Sequence, residues 1–331
     1  AYSAFWENFD KPLVFLDGLT GLGARSLRVA KEIPNVEKVI ANDINSEALK
    51  IAQNSANLNK ISNFEVSENE ICHFFSTYSK KEKRGSIVDV DPFGSPVKYF
   101  DCAIRATMHN GLLSVTATDL QVLHGLAKNA CKRKYHGTPI KTEYSNEIAI
   151  RLILGCLDIV ARRLDVQIIP QFVENNMHYY RIYVKILNRI DQDEHQGYIT
   201  HCRSCGNRNC VTNQKKICEA CNSQLEIAGP LWVDHMFNKK FIIDMIHQIP
   251  KFVVRKKCMS ILEKCTLEAE MPPTYYTLDE IASKMQSAPL KMKNAIKILQ
   301  DEGFLASPTS LNPTGFRTDC RIDKIIKLFE S

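Results

Sequence analysis

The sequence predicts an α/β protein in two parts: a doubly wound, mostly parallel sheet closed by an antiparallel terminal hairpin, then a smaller, mainly helical region with a zinc ribbon and a winged-helix-like unit. Three observations carry this. Short apolar runs alternate with helical periodicity from Leu13 to Arg163, which is the pattern of repeated βαβ units. The run Ile87-Val88-Asp89-Val90 stops at Asp91-Pro92-Phe93-Gly94-Ser95-Pro96, as a buried parallel strand does when it delivers polar groups to a ligand cleft. Past residue 190 the chain turns polar and two Cys-x-x-Cys pairs appear. The expected division is therefore 1–190 and 191–331, with the ribbon at 199–223.

Leu13 to Gly18 reads as the first buried strand, followed at once by the turn Gly18-Leu19-Thr20-Gly21-Leu22-Gly23 and a helix from Ala24 to Ile33 that ends before Pro34. Strand, glycine turn and helix form the first unit of a nucleotide-binding sheet, because the glycines let backbone approach a ligand closely. The second strand, Lys38 to Asp43, ends in an acid where a carboxylate can hold the hydroxyls of a ribose. Ser46 to Leu58 is a helix capped by Asn45 or Ser46. Phe64 to Ser67 is a third strand, and Glu68-Asn69-Glu70 after it are polar groups suited to an adenine amine or to solvent. Ile87 to Val90, the fourth strand, brings Asp91 to the same carboxyl edge, where open α/β sheets bind ligands.

Val97 to His109 then reads as a helix stopped by Asn110-Gly111, Leu112 to Asp119 as a fifth strand, and Leu120 to Lys132 as a helix running into the basic cluster Lys132-Arg133-Lys134-Tyr135-His136. That cluster suits either a solvated helix end or contact with phosphates. Glu143 to Arg163 is a long amphipathic helix. Val166 to Glu174 and Tyr179 to Leu187 form a hairpin, an addition to a plain dinucleotide fold that is typical of S-adenosylmethionine-dependent methyltransferases.

The tip after the fourth strand suggests chemistry. An exocyclic amine on a nucleobase is a weak nucleophile because its lone pair is delocalised into the ring, so it must be held by acceptors. Asp91 and the Pro92 carbonyl supply two acceptors, and Phe93 can stack on the base. The alternative is a plain β-turn, with Asp first and Pro second.

The ordered set Asp17-Gly18-Leu19-Thr20-Gly21-Leu22-Gly23-Ala24-Arg25, Asp91 to Pro96, Val115 to Asp119 and Tyr144 to Arg151 resembles the tRNA (guanine-26-N2) dimethyltransferase family over nearly the whole chain. The resemblance implies S-adenosyl-L-methionine as cofactor, tRNA as substrate, and one or two methyls placed on the guanine 2-amino group. It implies a catalytic role for Asp91, a ribose contact from Asp43 and a cofactor contact from Arg25. Together with the readings above, the candidate catalytic residues are Asp91, Pro92 and Phe93, and the candidate cofactor residues are Asp17, Gly18, Gly21, Gly23, Arg25, Asp43 and either Asn69 or Glu70. The family pattern carries Asn-Pro and Asn-Arg-Asp segments before the first strand where this sequence has only Ala1 to Pro12, so part of the cofactor pocket is expected to lie outside it. The segment Ser307 to Asp319 also matches, with Ser310 where the family has His.

Cys202, Cys205, Cys218 and Cys221 have the spacing of a tetrahedral structural zinc site, with no position left open for water. Cys210 is expected to be free. Arg203, Arg208, Lys215 and Lys216 around the ribbon either touch RNA phosphates or keep it soluble. From Trp232 onward the chain is mostly helical. Thr277 and Glu280 have capping-box spacing, Lys291 to Asp301 is a helix and Phe304 to Ala306 a short strand, and in the resemblance this region binds tRNA.

Composition narrows the alternatives. With 44% apolar and 24% charged residues among 331, the chain is an ordinary globular one. No apolar run reaches the length of a membrane span, and no signal-peptide pattern is present, so a cytoplasmic protein without an obligate protein partner is expected. The net charge of +6 permits a polyanionic partner. Twelve cysteines in an intracellular chain argue against a disulfide framework. An N6-adenine methyltransferase remains open, as does a non-catalytic zinc-ribbon nucleic-acid-binding protein.

Overall fold

The computed structural model describes residues 1–190, 194–253 and 256–330; residues 191–193, where the expected boundary falls, lie outside the described residues. After α1 (Tyr2–Glu7), the chain runs through β1 (Leu13–Asp17), α2 (Ala24–Glu32), β2 (Val36–Asp43), α3 (Ser46–Leu58), β3 (Phe64–Glu68), α4 (Ile71–Thr77) and β4 (Gly85–Val90). It continues through α5 (Phe100–Ala106), β5 (Thr107–Ala117), α6 (Leu120–Leu123), α7 (Lys128–Tyr135), α8 (Ser145–Arg162), β6 (Gln167–Asn176) and β7 (Tyr179–Leu187). The seven strands make one sheet in the order β3-β2-β1-β4-β5-β7-β6. Strands β1 to β5 are parallel, and β7 joins β5 antiparallel. The central strands β1 and β4 are buried along nearly their whole length, as strands covered on both faces are, and are mostly apolar with Asp17, Ser86 and Asp89 as the exceptions.

Two expected helices are shorter than the sequence suggested. The helix expected at Val97 to His109 stops at Ala106, because the β-branched Thr107 leaves the helix and bonds its hydroxyl back to the Ala103 carbonyl at 2.8 Å. Asn110-Gly111, expected to stop that helix, lies instead within β5, in an irregular stretch between Thr107 and Leu112, with Asn110 at φ +65°. The helix expected at Leu120 to Lys132 is two helices. Gly125, at φ +85°, takes the left-handed conformation that breaks it.

The ribbon is β8 (Gln196–Cys202), β9 (Arg208–Val211) and β10 (Leu225–Trp232), followed by α9 (Lys239–Gln248) and α10 (Lys256–Glu268). Then come β11 (Tyr276–Thr277), α11 (Leu278–Met285), α12 (Met292–Asp301), β12 (Ala306–Pro308), β13 (Gly315–Thr318) and α13 (Ile322–Glu330). Thr277 caps α11, accepting from the Glu280 N–H at 3.1 Å. The Glu280 carboxylate pairs with Arg208 instead of closing the capping box. The last helices and the sheet β11-β13-β12 share a core of their own around Ile281, Leu299, Phe316 and Ile325.

A larger apolar core starts beneath the sheet and continues through Leu231, Trp232, Phe241, Leu262 and Leu311. The residues after 190 are thus packed onto the sheet domain as well as onto one another. Buried charge reinforces that contact. Arg317 bridges Glu147 of α8 at 3.0 Å and Glu268 of α10 at 2.7 Å, and Arg151 holds Glu147 at 2.8 Å. Burial alone would raise the Glu147 carboxyl, but Arg317 and then Arg151 hold it below the ordinary carboxylate range. Ser310, where the family resemblance has His, donates its N–H to Glu268 at 2.7 Å.

A disulfide joins Cys72 of α4 to Cys102 of α5, and the other ten cysteines, Cys210 included, form no disulfide. One bond between adjacent helices is not a framework. Sequence spacing gave no signal for it, because helix packing alone brings the two together. Among the described residues no helix is long and apolar enough to cross a membrane.

Candidate active site and zinc ribbon

The carboxyl edge of the sheet gathers the ends of β1, β2, β3 and β4. At its centre the glycine turn crosses between β1 and α2. Gly23 caps α2 at φ +79°, and a Cβ there would lie 2.8 Å from Ala52 of α3. Glycine therefore serves both the left-handed turn and the close approach of two helices. The turn is pinned from both sides: Gly18 N–H donates to the Asp89 carbonyl at 3.0 Å and Thr20 N–H to the Asn42 carbonyl at 2.8 Å. Asp43 reaches back from β2 to accept the Gly21 N–H at 2.8 Å and its other oxygen takes the Asn45 N–H at 3.0 Å. The acid at the end of β2 and the glycine turn are thus one unit.

Asp17 is fully buried and accepts from Ser26 Oγ at 2.5 Å and Leu19 N–H at 3.3 Å. Burial and then the neighbouring Asp89 push its carboxyl up to about 6, against the pull of Arg25. Its two bonds tie the start of the glycine turn to the first turn of α2.

Asp91 stands just past β4. Arg25 of α2 pairs with Asp91 and also with Asp89 at 2.6 Å. Arg181 of β7 pairs with Asp89 at 2.7 Å and reaches the same Asp91 oxygen, Oδ2, at 3.5 Å. No hydrogen bond among the described residues reaches Asp91 Oδ1. Arg181 is itself held by Thr116 Oγ1 at 2.8 Å, Tyr2 OH at 2.8 Å and Tyr183 OH at 2.9 Å. Burial would raise the Asp89 carboxyl; Arg181 and then Arg25 reverse this and hold it below the usual range. The result is a rigid acid–guanidinium cluster whose outermost carboxylate, Asp91, is 27% exposed. Pro92 beside it is buried, and Phe93 is wholly exposed.

The tip is fixed on its other flank. Gly94 N–H donates to Thr118 Oγ1 at 2.6 Å and Thr118 N–H to the Gly94 carbonyl at 2.9 Å. Ser95 Oγ donates to Tyr135 OH at 3.0 Å, which donates to Asp119 at 2.6 Å.

Asn69 and Glu70 differ in what they do. The Asn69 carbonyl accepts from the Asn42 side chain at 3.0 Å and its own amide donates to Ser67 at 2.9 Å. The Glu70 carboxylate caps α4 through the His73 N–H at 2.9 Å. Asp89, Arg181 and Tyr2 were not singled out from the sequence. A signal existed for two of them: one acid inside Ile87 to Val90 and one arginine inside Tyr179 to Leu187 are charges in buried strands, and such charges need partners.

In the ribbon, two knuckles share one local geometry. The residue four beyond each leading cysteine is left-handed, Gly206 at φ +80° and Asn222 at +57°, and its N–H donates to the carbonyl of Cys202 at 2.8 Å or Cys218 at 2.9 Å. This turns the second cysteine back on the first. The Sγ atoms of Cys202, Cys205, Cys218 and Cys221 lie within 4.8 Å of one another, with Cys202–Cys221 at 3.4 Å and Cys205–Cys218 at 3.7 Å. Tetrahedral zinc with Zn–S bonds of about 2.3 Å requires sulfurs about 3.8 Å apart, so the donor set fits. Of the four cations flagged around the ribbon, Arg208 is not a surface group. It is buried between the rings of Tyr144 and Tyr276 and paired with Glu280. Arg203 pairs with Glu226 and Lys215 with Glu219.

Stripping the metal with a thiol-reactive mercurial and chelator is expected to release about one zinc per chain. It should also cost the C-terminal region several kcal/mol, read as early proteolysis in 196–232 while the sheet domain stays resistant. Purified protein free of zinc by elemental analysis would remove the metal assignment.

A doubly wound sheet with an acid at the end of β2, a glycine turn, an antiparallel terminal hairpin and an Asp-Pro-Phe tip defines a Rossmann-like methyltransferase. The comparisons narrow the class. The profile described as "N2,N2-dimethylguanosine tRNA methyltransferase" matches residues 2–330. The chain is 30% identical over 343 residues to the tRNA (guanine(26)-N(2))-dimethyltransferase of Methanobrevibacter smithii, covering 100% of this chain and 87% of that protein. It is 29% identical over 337 residues to the tRNA (guanine(26)-N(2)/guanine(27)-N(2))-dimethyltransferase of Aquifex aeolicus, covering 98% of this chain and 84% of that protein. Among solved structures, the complex of Trm1 from Pyrococcus horikoshii with S-adenosyl-L-methionine superposes with a TM-score of 0.87 at 24% identity, over 99% of this chain and 91% of that one. The chain belongs to the N2,N2-dimethylguanosine tRNA methyltransferase family, and it is an enzyme.

Proposed function

We propose that the chain transfers methyl groups from S-adenosyl-L-methionine to the exocyclic N2 of guanine 26 in tRNA, in the cytoplasm. One observation carries the reading. Asp91 sits at the carboxyl edge with one oxygen tied to two guanidiniums and the other without a hydrogen bond among the described residues, beside an exposed aromatic and a glycine turn. A held acceptor and a stacking surface are what an amine of low nucleophilicity needs.

The cofactor supplies an activated methyl on sulfur when bound. Gly18, Gly21 and Gly23 would give it backbone, Asp43 would take its ribose hydroxyls, and Asn69 or Glu70 would face its adenine. Asp17 supports the turn from below, and Arg25 would contact the cofactor from the start of α2. Asp91 Oδ1 and the Pro92 carbonyl accept from the amine N–H groups, orienting its lone pair, while Phe93 stacks on the flipped base. The four cysteines hold structural zinc. The region 191–331 serves as the tRNA-binding part and 1–190 as the catalytic part, with no obligate protein partner.

The test is methyl transfer from labelled S-adenosylmethionine to unmodified tRNA transcripts, with the labelled nucleoside identified after digestion. N2-methylated guanosine mapped to position 26 is the expected product. N6-methyladenosine, or no transfer, would sink the reading.

A further inference from the structure

Between Leu120 and Thr142 the chain carries Lys128, Lys132, Arg133, Lys134 and Lys141 and not one aspartate or glutamate. In a protein of net charge +6 this is a local concentration of positive charge, and the fold sets it beside the candidate active site. Helix α7 follows β5 at the carboxyl edge, with Cys131 and Tyr135 buried and Lys128, Lys132 and Arg133 exposed. Those three make no ion pair among the described residues, whereas Lys134 is spent on Asp119 at 3.3 Å.

The helix is fastened to the reactive tip. Ser95, Tyr135 and Asp119 form a chain of hydrogen bonds at 3.0 and 2.6 Å, and Thr118 grips Gly94, one residue earlier along the tip. Movement of α7 relative to Asp91 is therefore restricted. Two exposed apolar groups mark the same region, Phe93 on the tip and Leu126 at 70% exposure in the turn before α7. A cavity of about 370 Å³ is lined by Leu126 together with His124, Lys141 and Asn146, with the single carboxylate Glu143. Cations in the last turn of a helix offset its dipole, but Lys128 stands in the first turn of α7, and a merely solvated helix end needs no hydrogen-bonded tie to the Asp91 tip.

We propose that the exposed face of α7, formed by Lys128, Lys132 and Arg133, grips the phosphates of the RNA strand that carries the target guanine. This rests on the tRNA methyltransferase reading above. A nucleotide turned out of its stack leaves its phosphates close to the pocket mouth. Cations fixed there set the register of the strand against Asp91 without reading sequence, as phosphate contacts do.

The experiment compares wild type with the triple variant Lys128→Gln/Lys132→Gln/Arg133→Gln across a salt series. A control variant, Lys80→Gln/Lys81→Gln/Lys83→Gln, removes three exposed cations just before β4, at the opposite edge of the sheet. In the α7 variant KM for tRNA is expected to rise about tenfold or more, and the slope of log KM against log salt to fall by about 2, at roughly 0.7 per lost contact. The kcat at saturating tRNA and the affinity for S-adenosylmethionine should stay at wild-type values, and the control should move neither KM nor slope. Wild-type KM and slope in the α7 variant, equal losses in both variants, or a fall in kcat at unchanged KM would each overturn the proposal. Direct tRNA binding by filter retention reads the same contrast independently of turnover. If wild type binds tRNA through α7 but methylates nothing, the functional reading fails and this one stands.

Discussion

Asp91→Ala is expected to lower turnover by about 10³-fold, the scale of losing one positioned group that acts on the reacting atoms, while affinity for S-adenosylmethionine stays within a few-fold. The second half of that expectation comes from the cluster. Removing Asp91 takes away one of two acidic partners of Arg25, and the buried Asp89 still holds the guanidinium at 2.6 Å. The wall of the cofactor cleft should survive. Asp91→Asn keeps an acceptor oxygen but loses the charge that draws Arg25 and Arg181, so it should fall between wild type and alanine. Single-turnover rates with saturating tRNA, alongside calorimetric cofactor titration, make the measurement. Turnover near wild type in the alanine variant would end the assignment of Asp91.

The second large effect is expected at Arg181. Arg181→Met should cost about 3–5 kcal/mol of stability, because it strips one partner from a carboxylate with no solvent exposure. Turnover should drop as well, by about 10²-fold, since Asp91 loses one of the two guanidiniums that fix its Oδ2. The two effects separate in the double variant Arg181→Met/Asp89→Leu. Replacing a buried ion pair by apolar groups is often neutral for stability, so the urea midpoint should recover while kcat does not. Recovery of both would make Arg181 a purely structural residue. Arg181→Lys should rescue little, because one ammonium cannot span Asp89, Asp91, Thr116 and Tyr2 as the planar fork does.

The strands were legible because burial on both faces forces continuous apolar runs. β1, β4 and β7 fall within two residues of the runs read from the sequence, and α3 matches it end to end. Helix ends were less legible. Thr107 and Gly125 decide where α5 and α6 stop, and they do so through a back-bonded hydroxyl and a left-handed turn. Periodicity does not report such devices. The candidate site was legible as far as residues that end strands, since Asp17, Asp43 and Asp91 stand at strand termini where topology guarantees a common edge. It was illegible where pairing is long-range. Arg181 meets Asp89 across 92 residues of sequence, and Tyr2 meets Arg181 across 179.

What the sequence determined by itself is the class of fold, the edge at which the candidate site sits, the four-cysteine set and the family resemblance. Each depends on residue types at short, regular spacing, where local geometry follows from covalent structure and burial. What only the tertiary structure decided is how charge is distributed among those residues. It buried Arg208 between two tyrosine rings, turned Glu280 from its cap to that arginine, spent Glu70 on a helix end, and gave Asp91 two guanidiniums on one oxygen. These outcomes depend on which side chains meet after folding. A buried charge takes the nearest adequate partner in space, and distance along the chain carries no information about that.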